Sequence, residues 1–336
     1  MISRDDKIWI AENLMRNCEP EGIKDALISI GRDAKEVERE IAITLFTPQF
    51  IGALRGRDLF QRRANKANWV LSTIASHKNN INKVDFVENN NVKDIFFDDY
   101  YYQNKPVLIE KCVIDWPAYK NWDPDYLIKN WGDKEVSIQS NRESDPDYEE
   151  NKAKFETKIN FGDFLTKIRD VDSNDLYLTA FNNKDNIEQL QSMWDETQPL
   201  PEILDPEIKP SGFFFIGSKG TITPTHHDLT NNLLVQIRGS KKIWMVDSLN
   251  LPNIYCHVGV FSKVDLSNID YEKFPLMKEV KVLEVVLKEG DALFVPIGWW
   301  HMVKALDFSI TSTYTNFKAN NDYSSLHQES VGAGGL

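Results

Sequence analysis

Residues 225–230 read Thr-His-His-Asp-Leu-Thr, and their spacing places the first constraint on this chain. In an extended strand, residues i and i+2 point to the same face. His226 and Asp228 therefore converge on one point, while His227 points away. An isolated His-x-Asp pair is a weak signal, because most buried histidines serve structural hydrogen bonds. A third ligand must come from a different strand. His301 is the best candidate: it follows the strand-like run Ala292 to Pro296 and a turn at Gly298-Trp299-Trp300. Two His and one carboxylate on one face of an ion leave the opposite positions open, which suits Fe(II) sites that activate oxygen. The remaining histidines, His77, His257 and His327, are read as ordinary surface or core residues.

Strand signals dominate around these residues. Phe213 to Ile216, Leu233 to Ile237, Ile243 to Val246, Val280 to Leu287, Ala292 to Val295 and Phe308 to Thr315 are short and rich in apolar and β-branched residues. Glycine turns fall between them at Lys219-Gly220, Arg238-Gly239 and Glu289-Gly290, the pattern of an antiparallel sandwich or barrel. Upstream, Lys105 to Ile109 reads as a strand, and 123–131 as a short helix capped near Asp123 or Asp125. Residues 143–152 read as a charged, solvated loop. No internal repeat is present.

Residues 1–78 carry a different period. Ile8, Ile10, Leu14 and Met15 recur at helical spacing. Ile23, Ala26, Leu27 and Ile30 follow Pro20, a residue suited to a first helical turn. Gly31 offers a stop and Asp33 a cap for the run Val37, Ile41, Ala42, Leu45. A longer helical segment covers about 48–77. These helices predict a bundle, either an interaction or homodimerisation module or a brace for the main domain. The polar stretch 77–83 is the expected junction, and the C-terminal Val331 to Leu336 the expected disordered end.

Composition excludes several classes. The chain has 336 residues, 41% hydrophobic and 27% charged, with a formal net charge of −12. An acidic chain repels phosphate backbones, which argues against a nucleic-acid partner. Cys18, Cys112 and Cys256 are far apart, odd in number and form no disulfide framework, so a reducing cytoplasm is the simplest location. The charged start, Met1 to Leu14, is not a signal peptide, and no stretch reaches the roughly 20 apolar residues needed to span a membrane.

Several ordered motifs carry a family resemblance. Thr223-Pro-Thr-His-His-Asp228, Asn232, Gln236-Ile-Arg-Gly-Ser-Lys241, Asp270-Tyr-Glu-Lys-Phe-Pro275, Gly290-Asp291, Pro296, Trp299-Trp300-His301 and Thr315-Asn316-Phe317 occur in sequence. With the lead-in pieces Asn104 to Val107 and Asp115-Trp116-Pro117, this chain resembles the JmjC, or cupin-like, dioxygenases over about 84–318. Within them it is similar to the branch of the factor-inhibiting-HIF asparaginyl hydroxylase. The resemblance implies a double-stranded β-helix, a mainly β jelly roll with the metal in its mouth, behind an N-terminal helical region. It implies Fe(II), 2-oxoglutarate and O2 as cofactor and co-substrates. The reaction it implies releases succinate and CO2 as a C–H bond is hydroxylated on a peptide, a protein or an amino acid.

The resemblance also assigns roles. A buried carboxylate needs a cationic partner, and Lys241 matches the family lysine that holds the distal carboxylate of 2-oxoglutarate. Strand alternation alone does not choose among Lys241, Lys242 and Arg238; the motif does. Tyr177 and Thr223 match positions that hydrogen-bond the same carboxylate, and Asn232 and Asn316 match residues near the metal and the C1 carboxylate. In the asparaginyl-hydroxylase branch a Trp follows the Asn-Phe pair; here Lys318 stands there, and the C-terminal dimerising helices have no counterpart. Substrate and oligomeric state are thereby left open. Two other functions compete. One is a cupin-like protein whose triad is vestigial or holds zinc, which gives a buried lysine no purpose. The other is a JmjC lysine demethylase, for which the chain offers no Cys-rich zinc module and no basic chromatin-facing patch.

Overall fold

The computed structural model describes residues 2–78, 82–179, 183–198, 200–208, 212–256 and 259–323. The chain divides at Thr73/Ile74 into two compact units. The expected C-terminal disorder and two of the histidines, His257 and His327, lie outside the described residues, as do 79–81 of the expected junction. Residues 319–323 are not loose: the Asn321 side chain is bonded to Asn231, and Tyr101 donates its hydroxyl to the Asn320 carbonyl.

The N-terminal helices end where their residues dictate. Helix α1 (Arg4–Met15) opens on a reciprocal cap between Ser3 and Asp6. Helix α2 (Pro20–Ser29) starts on Pro20, and Gly31 beyond it takes a positive φ of 85°. Helix α3 (Ala34–Phe46) is capped by Asp33, which accepts from the Glu36 amide. Helix α4 (Pro48–Lys78) completes the set. Ile10, Leu14, Ile23, Leu27, Val37, Ile41 and Phe50 form their core.

Thirteen strands are present among the described residues: β1 (Asp85–Glu88), β2 (Val107–Glu110), β3 (Glu135–Gln139), β4 (Glu156–Asn160), β5 (Tyr177–Leu178), β6 (Phe214–Gly217), β7 (Ile222–His226), β8 (Asn232–Arg238), β9 (Lys241–Val246), β10 (Leu283–Leu287), β11 (Ala292–Val295), β12 (Trp300–Ala305) and β13 (Ser309–Tyr314). A nine-stranded sheet has the order β1-β2-β11-β8-β13-β6-β5-β3-β4, and a four-stranded sheet the order β10-β9-β12-β7. From β6 to β13 the chain alternates between the sheets, except that β9 and β10 are neighbours in the smaller one. That is the jelly roll implied above. Apart from the parallel pair β1–β2, every pairing is antiparallel.

The expected strands are found, with two shifts. Trp300 belongs to β12 rather than to the turn before it, and β10 starts at Leu283 rather than Val280, because Pro275–Glu279 forms a 3₁₀ turn first. Trp299 and Trp300 are both buried core residues, and the Trp299 indole donates to the Asn104 carbonyl at 2.9 Å. They do not line the mouth.

Gly239 makes the turn from β8 into β9. Its φ is +66°, and a Cβ there would stand 2.1 Å from the Phe308 carbonyl oxygen. Gly239→Ala should therefore combine left-handed backbone strain with a clash against fixed backbone, a loss of at least about 2 kcal/mol. Urea unfolding followed by tryptophan fluorescence would measure it; an unchanged midpoint would contradict this account of the turn.

Candidate active site

The two histidines are a cross-strand pair. His301 on β12 lies opposite His226 on β7 in the antiparallel register, with ring centroids 4.2 Å apart. His226 ends its strand, and Asp228, two residues on, converges on the same point as the spacing predicts. The donor atoms of His226, Asp228 and His301 all lie within 4.8 Å of one another. Asp228 Oδ1 is 3.9 Å from His226 Nε2, and Oδ2 is 3.8 Å from His301 Nε2. These gaps are too long for hydrogen bonds but suit donors sharing one ion at about 2.1 Å from each.

The tautomers favour the same use. His226 Nδ1 is 2.8 Å from the Pro224 carbonyl, and His301 Nδ1 is 3.0 Å from the Trp299 carbonyl. A carbonyl only accepts, so each Nδ1 carries its proton and each Nε2 presents a lone pair to the centre. Burial, and secondarily the neighbouring His226, push the pKa of His301 down, favouring the neutral imidazole that a metal needs. His227 is turned away: its ring packs edge-on to Trp300, at 4.6 Å between centroids.

Asn232, at the start of β8, donates from Nδ2 to Asp228 Oδ2 at 2.6 Å and so orients the carboxylate. Its Oδ1 is buried with no protein partner. An orphaned acceptor beside three convergent donors is what a site for a hydrated or ligated ion leaves behind.

A cavity of about 90 Å³ joins the triad to Tyr177, Thr223, Asn232 and Lys241, with apolar walls that include Phe213, Leu234, Ile243 and Val303. Strand alternation on β9 separates its two lysines. Lys242 points outward to Glu284 at 2.8 Å, whereas Lys241 is 4% exposed. Arg238 is likewise accounted for, by Glu289 and the Trp122 carbonyl. Lys241 has no carboxylate partner among the described residues. Its one hydrogen bond is to the Tyr177 hydroxyl, at 3.4 Å. Burial alone pulls its pKa down to about 7. Thr223 lines the cavity beside Tyr177, whose pKa burial raises, so the phenol stays protonated and able to donate.

Seven of the eight expected site residues are thus brought together. Asn316 is not. Its Nδ2 donates to the carbonyls of Asp205 and Ile208, which ties down the 205–208 segment, and it does not line the cavity. Thr311 and Thr313 of β13 line the cavity instead; they share one face at a spacing of two and could have been found from it. The 143–152 loop is also misread as simply solvated, because Tyr148 is buried and Glu149 pairs with the fully buried Arg142.

Comparison with known proteins identifies the domain. A family model described as a cupin-like domain matches residues 93–323. Lysine-specific demethylase JMJ30 of Arabidopsis thaliana is 30% identical over 227 residues, covering 65% of this chain and 51% of that protein. Lysine-specific demethylase 8 of Xenopus tropicalis is 29% identical over 229 residues, covering 65% and 49%. The tRNA wybutosine-synthesizing protein 5 of Gallus gallus is 26% identical over 231 residues, covering 65% and 72%. The chain spans about half the length of the two demethylases. The names point to protein in one case and tRNA in the other. Net charge therefore does not suffice to exclude a nucleic-acid partner, and that expectation is withdrawn. Nor do these names single out the asparaginyl-hydroxylase branch within the wider family.

Proposed function

This chain belongs to the cupin-like domain family, and from that premise we propose that it is an Fe(II)- and 2-oxoglutarate-dependent oxygenase that hydroxylates a C–H bond. The observation that carries the proposal is Lys241: a buried cation with no counter-charge among the described residues, in the same cavity as a two-His-one-carboxylate triad. A vestigial or purely zinc-binding site gives that lysine no partner, and an unpaired buried charge is costly. A dicarboxylate bound to both ends of the cavity supplies one.

Each residue then has a task. His226, Asp228 and His301 hold the metal on one face and leave the opposite face for ligands. Lys241, Tyr177 and Thr223 neutralise and hydrogen-bond the distal carboxylate, which sets the depth at which the keto acid sits. The apolar walls exclude water from the methylene chain. Asn232 fixes the Asp228 carboxylate. When bound, Fe(II) and 2-oxoglutarate supply O2 activation coupled to decarboxylation, giving succinate and CO2 and oxidising the substrate C–H bond. No protein acid or base is needed for that chemistry.

Hydroxylation of a polypeptide or amino-acid side chain is our first reading of the substrate. The motif resemblance to asparaginyl hydroxylases supports it. The demethylase names of the relatives support a second. Oxidation of an N-methyl group gives a carbinolamine that releases formaldehyde, so the same site serves both. A tRNA substrate is the third, on the relatives' names alone. No helix among the described residues is long and apolar enough to cross a membrane. With three free cysteines, we place the protein in the cytoplasm.

Protein reconstituted anaerobically with Fe(II) should release succinate from 2-oxoglutarate on admission of O2, faster with its true substrate present. Screening peptides, amino acids, methylated peptides and tRNA for succinate and formaldehyde separates the three substrate classes. No O2-dependent succinate under any condition would refute the oxygenase reading. Asn232→Ala should weaken Fe(II) binding by about 10–100-fold, since it frees the carboxylate it orients; a competitive chelator titration reads this directly.

A further inference from the structure

Arg142 lies in the loop after β3 and is 0% exposed, although it is charged and outside the cavity lining. Its Nη2 donates to Glu149 Oε1 at 2.9 Å and to the Ile222 carbonyl at 2.8 Å, and its Nη1 donates to Asn174 Oδ1 at 2.9 Å. The guanidinium is 4.2 Å from the ring centroid of Tyr148 and 5.0 Å from that of Tyr177. Its Nε is buried without a partner. Burying such a pair costs several kcal/mol in desolvation, and an apolar pair of similar shape serves stability as well. What Arg142 holds is therefore more informative than the pair itself.

It holds the residue before Thr223 and it holds Tyr177, and both Thr223 and Tyr177 line the cavity. The first is Ile222, which opens β7 immediately before Thr223. Its carbonyl accepts from Arg142 and from the Tyr148 hydroxyl at 3.2 Å, and its N–H donates to Asn174 Oδ1 at 2.8 Å. Both backbone groups next to Thr223 are thereby fixed. The second is Tyr177, which has the guanidinium beside its ring and Lys241 and Thr223 at its hydroxyl. A flat, always-charged fork is suited to this double duty, and lysine is not.

We infer that Arg142, anchored by Glu149, is a positioning residue that fixes Tyr177 and Thr223 for the distal carboxylate of the co-substrate. The inference rests on the 2-oxoglutarate reading above. It gives the acidic loop a defined task, because Glu149 belongs to it. Lys263 further ties that loop through Asp147 at 2.8 Å and Glu150 at 2.6 Å to the segment that carries Phe261, the residue bridged to His226.

The test uses the 336-residue chain loaded with Mn(II), titrated calorimetrically with 2-oxoglutarate and, separately, with oxalate. Oxalate chelates a metal through two oxygens but is too short to reach Lys241. Arg142→Met should weaken 2-oxoglutarate by about tenfold or more, the scale of a lost supporting contact at a ligand site, while oxalate stays within about twofold. A general loss of fold would weaken both ligands alike. Equal loss for both, or an unchanged 2-oxoglutarate Kd, overturns the inference. If Arg142→Met does not fold, Glu149→Gln removes only the anchoring charge and should show the same contrast at about threefold; no contrast there overturns it as well. Parent protein that binds oxalate but not 2-oxoglutarate would instead overturn the co-substrate reading, and the inference with it.

Discussion

Asp228→Ala and His301→Ala should each lose O2-dependent succinate release by about 10³-fold or more, and retain Fe(II) poorly after desalting. Among the described residues three donors lie within 4.8 Å of one another, so removing one leaves two, too few to hold a labile divalent ion against water. The two variants differ in what else they change. Asp228→Ala removes the only anionic donor and strands the Asn232 amide that donates to it at 2.6 Å. His301→Ala leaves a void in β12, where the imidazole is buried, and costs stability as well. His227→Ala is the control. Its ring sits against Trp300 on the other side of the strand, so it should keep activity within about threefold while losing some packing energy, a modest surface-to-core effect. Activity in either triad variant close to the parent would remove the triad from the chemistry. Loss in His227→Ala as deep as in the others would mean that strand alternation picks the wrong histidine.

Much of this site is legible in the sequence because short-range rules govern it. The face shared by His226 and Asp228 follows from strand geometry, and the start at Pro20 and the cap at Asp33 follow from helix-end chemistry. What stays hidden depends on long-range placement. The pairing of His301 with His226 joins residues 75 positions apart, and only the ordered motifs suggest it. The choice of Lys241 over Lys242 needs the register of β9 against β10 and β12, which no local pattern gives. The placement of Asn316 is hidden for the same reason: its motif position fits, while in the fold its Nδ2 donates to the carbonyls of Asp205 and Ile208. β4 is missed because Glu156–Asn160 is mostly exposed and polar, without the apolar alternation that marks a strand. Arg142 leaves no trace beyond one arginine near an acidic run; its role exists only once Tyr177, Ile222 and Glu149 are folded around it.

Lys241→Met should move binding and stability in opposite directions. In the ligand-free protein, burial lowers the Lys241 pKa from 10.5 to about 7. The unfolded chain then binds more protons than the folded one between about pH 7 and pH 10.5. Stability therefore rises with pH across that window, and the cost of the buried charge is greatest below pH 7. Methionine fills similar space without a charge, so the variant should be more stable than the parent near pH 6–7, by about 1–3 kcal/mol, with the advantage shrinking toward pH 10. The same change removes the counter-charge for the distal carboxylate, and 2-oxoglutarate binding should fall by about 100-fold or more, as for a charge-assisted pair left unmade in a dry site. In the parent protein, pairing with the carboxylate favours the protonated amine, so binding takes up a proton whenever the free amine is neutral. Affinity for 2-oxoglutarate should then weaken by nearly tenfold per pH unit above about pH 7, and Lys241→Met should abolish that slope. Calorimetry in two buffers of different ionisation enthalpy counts the proton directly. A variant that is both less stable and weaker binding would mean that Lys241 is a structural residue whose loss damages the fold. A variant that binds 2-oxoglutarate as the parent does would mean that the anion sits elsewhere. Only greater stability together with lost binding fits a lysine kept charged, at a cost to the fold, for a ligand that arrives later.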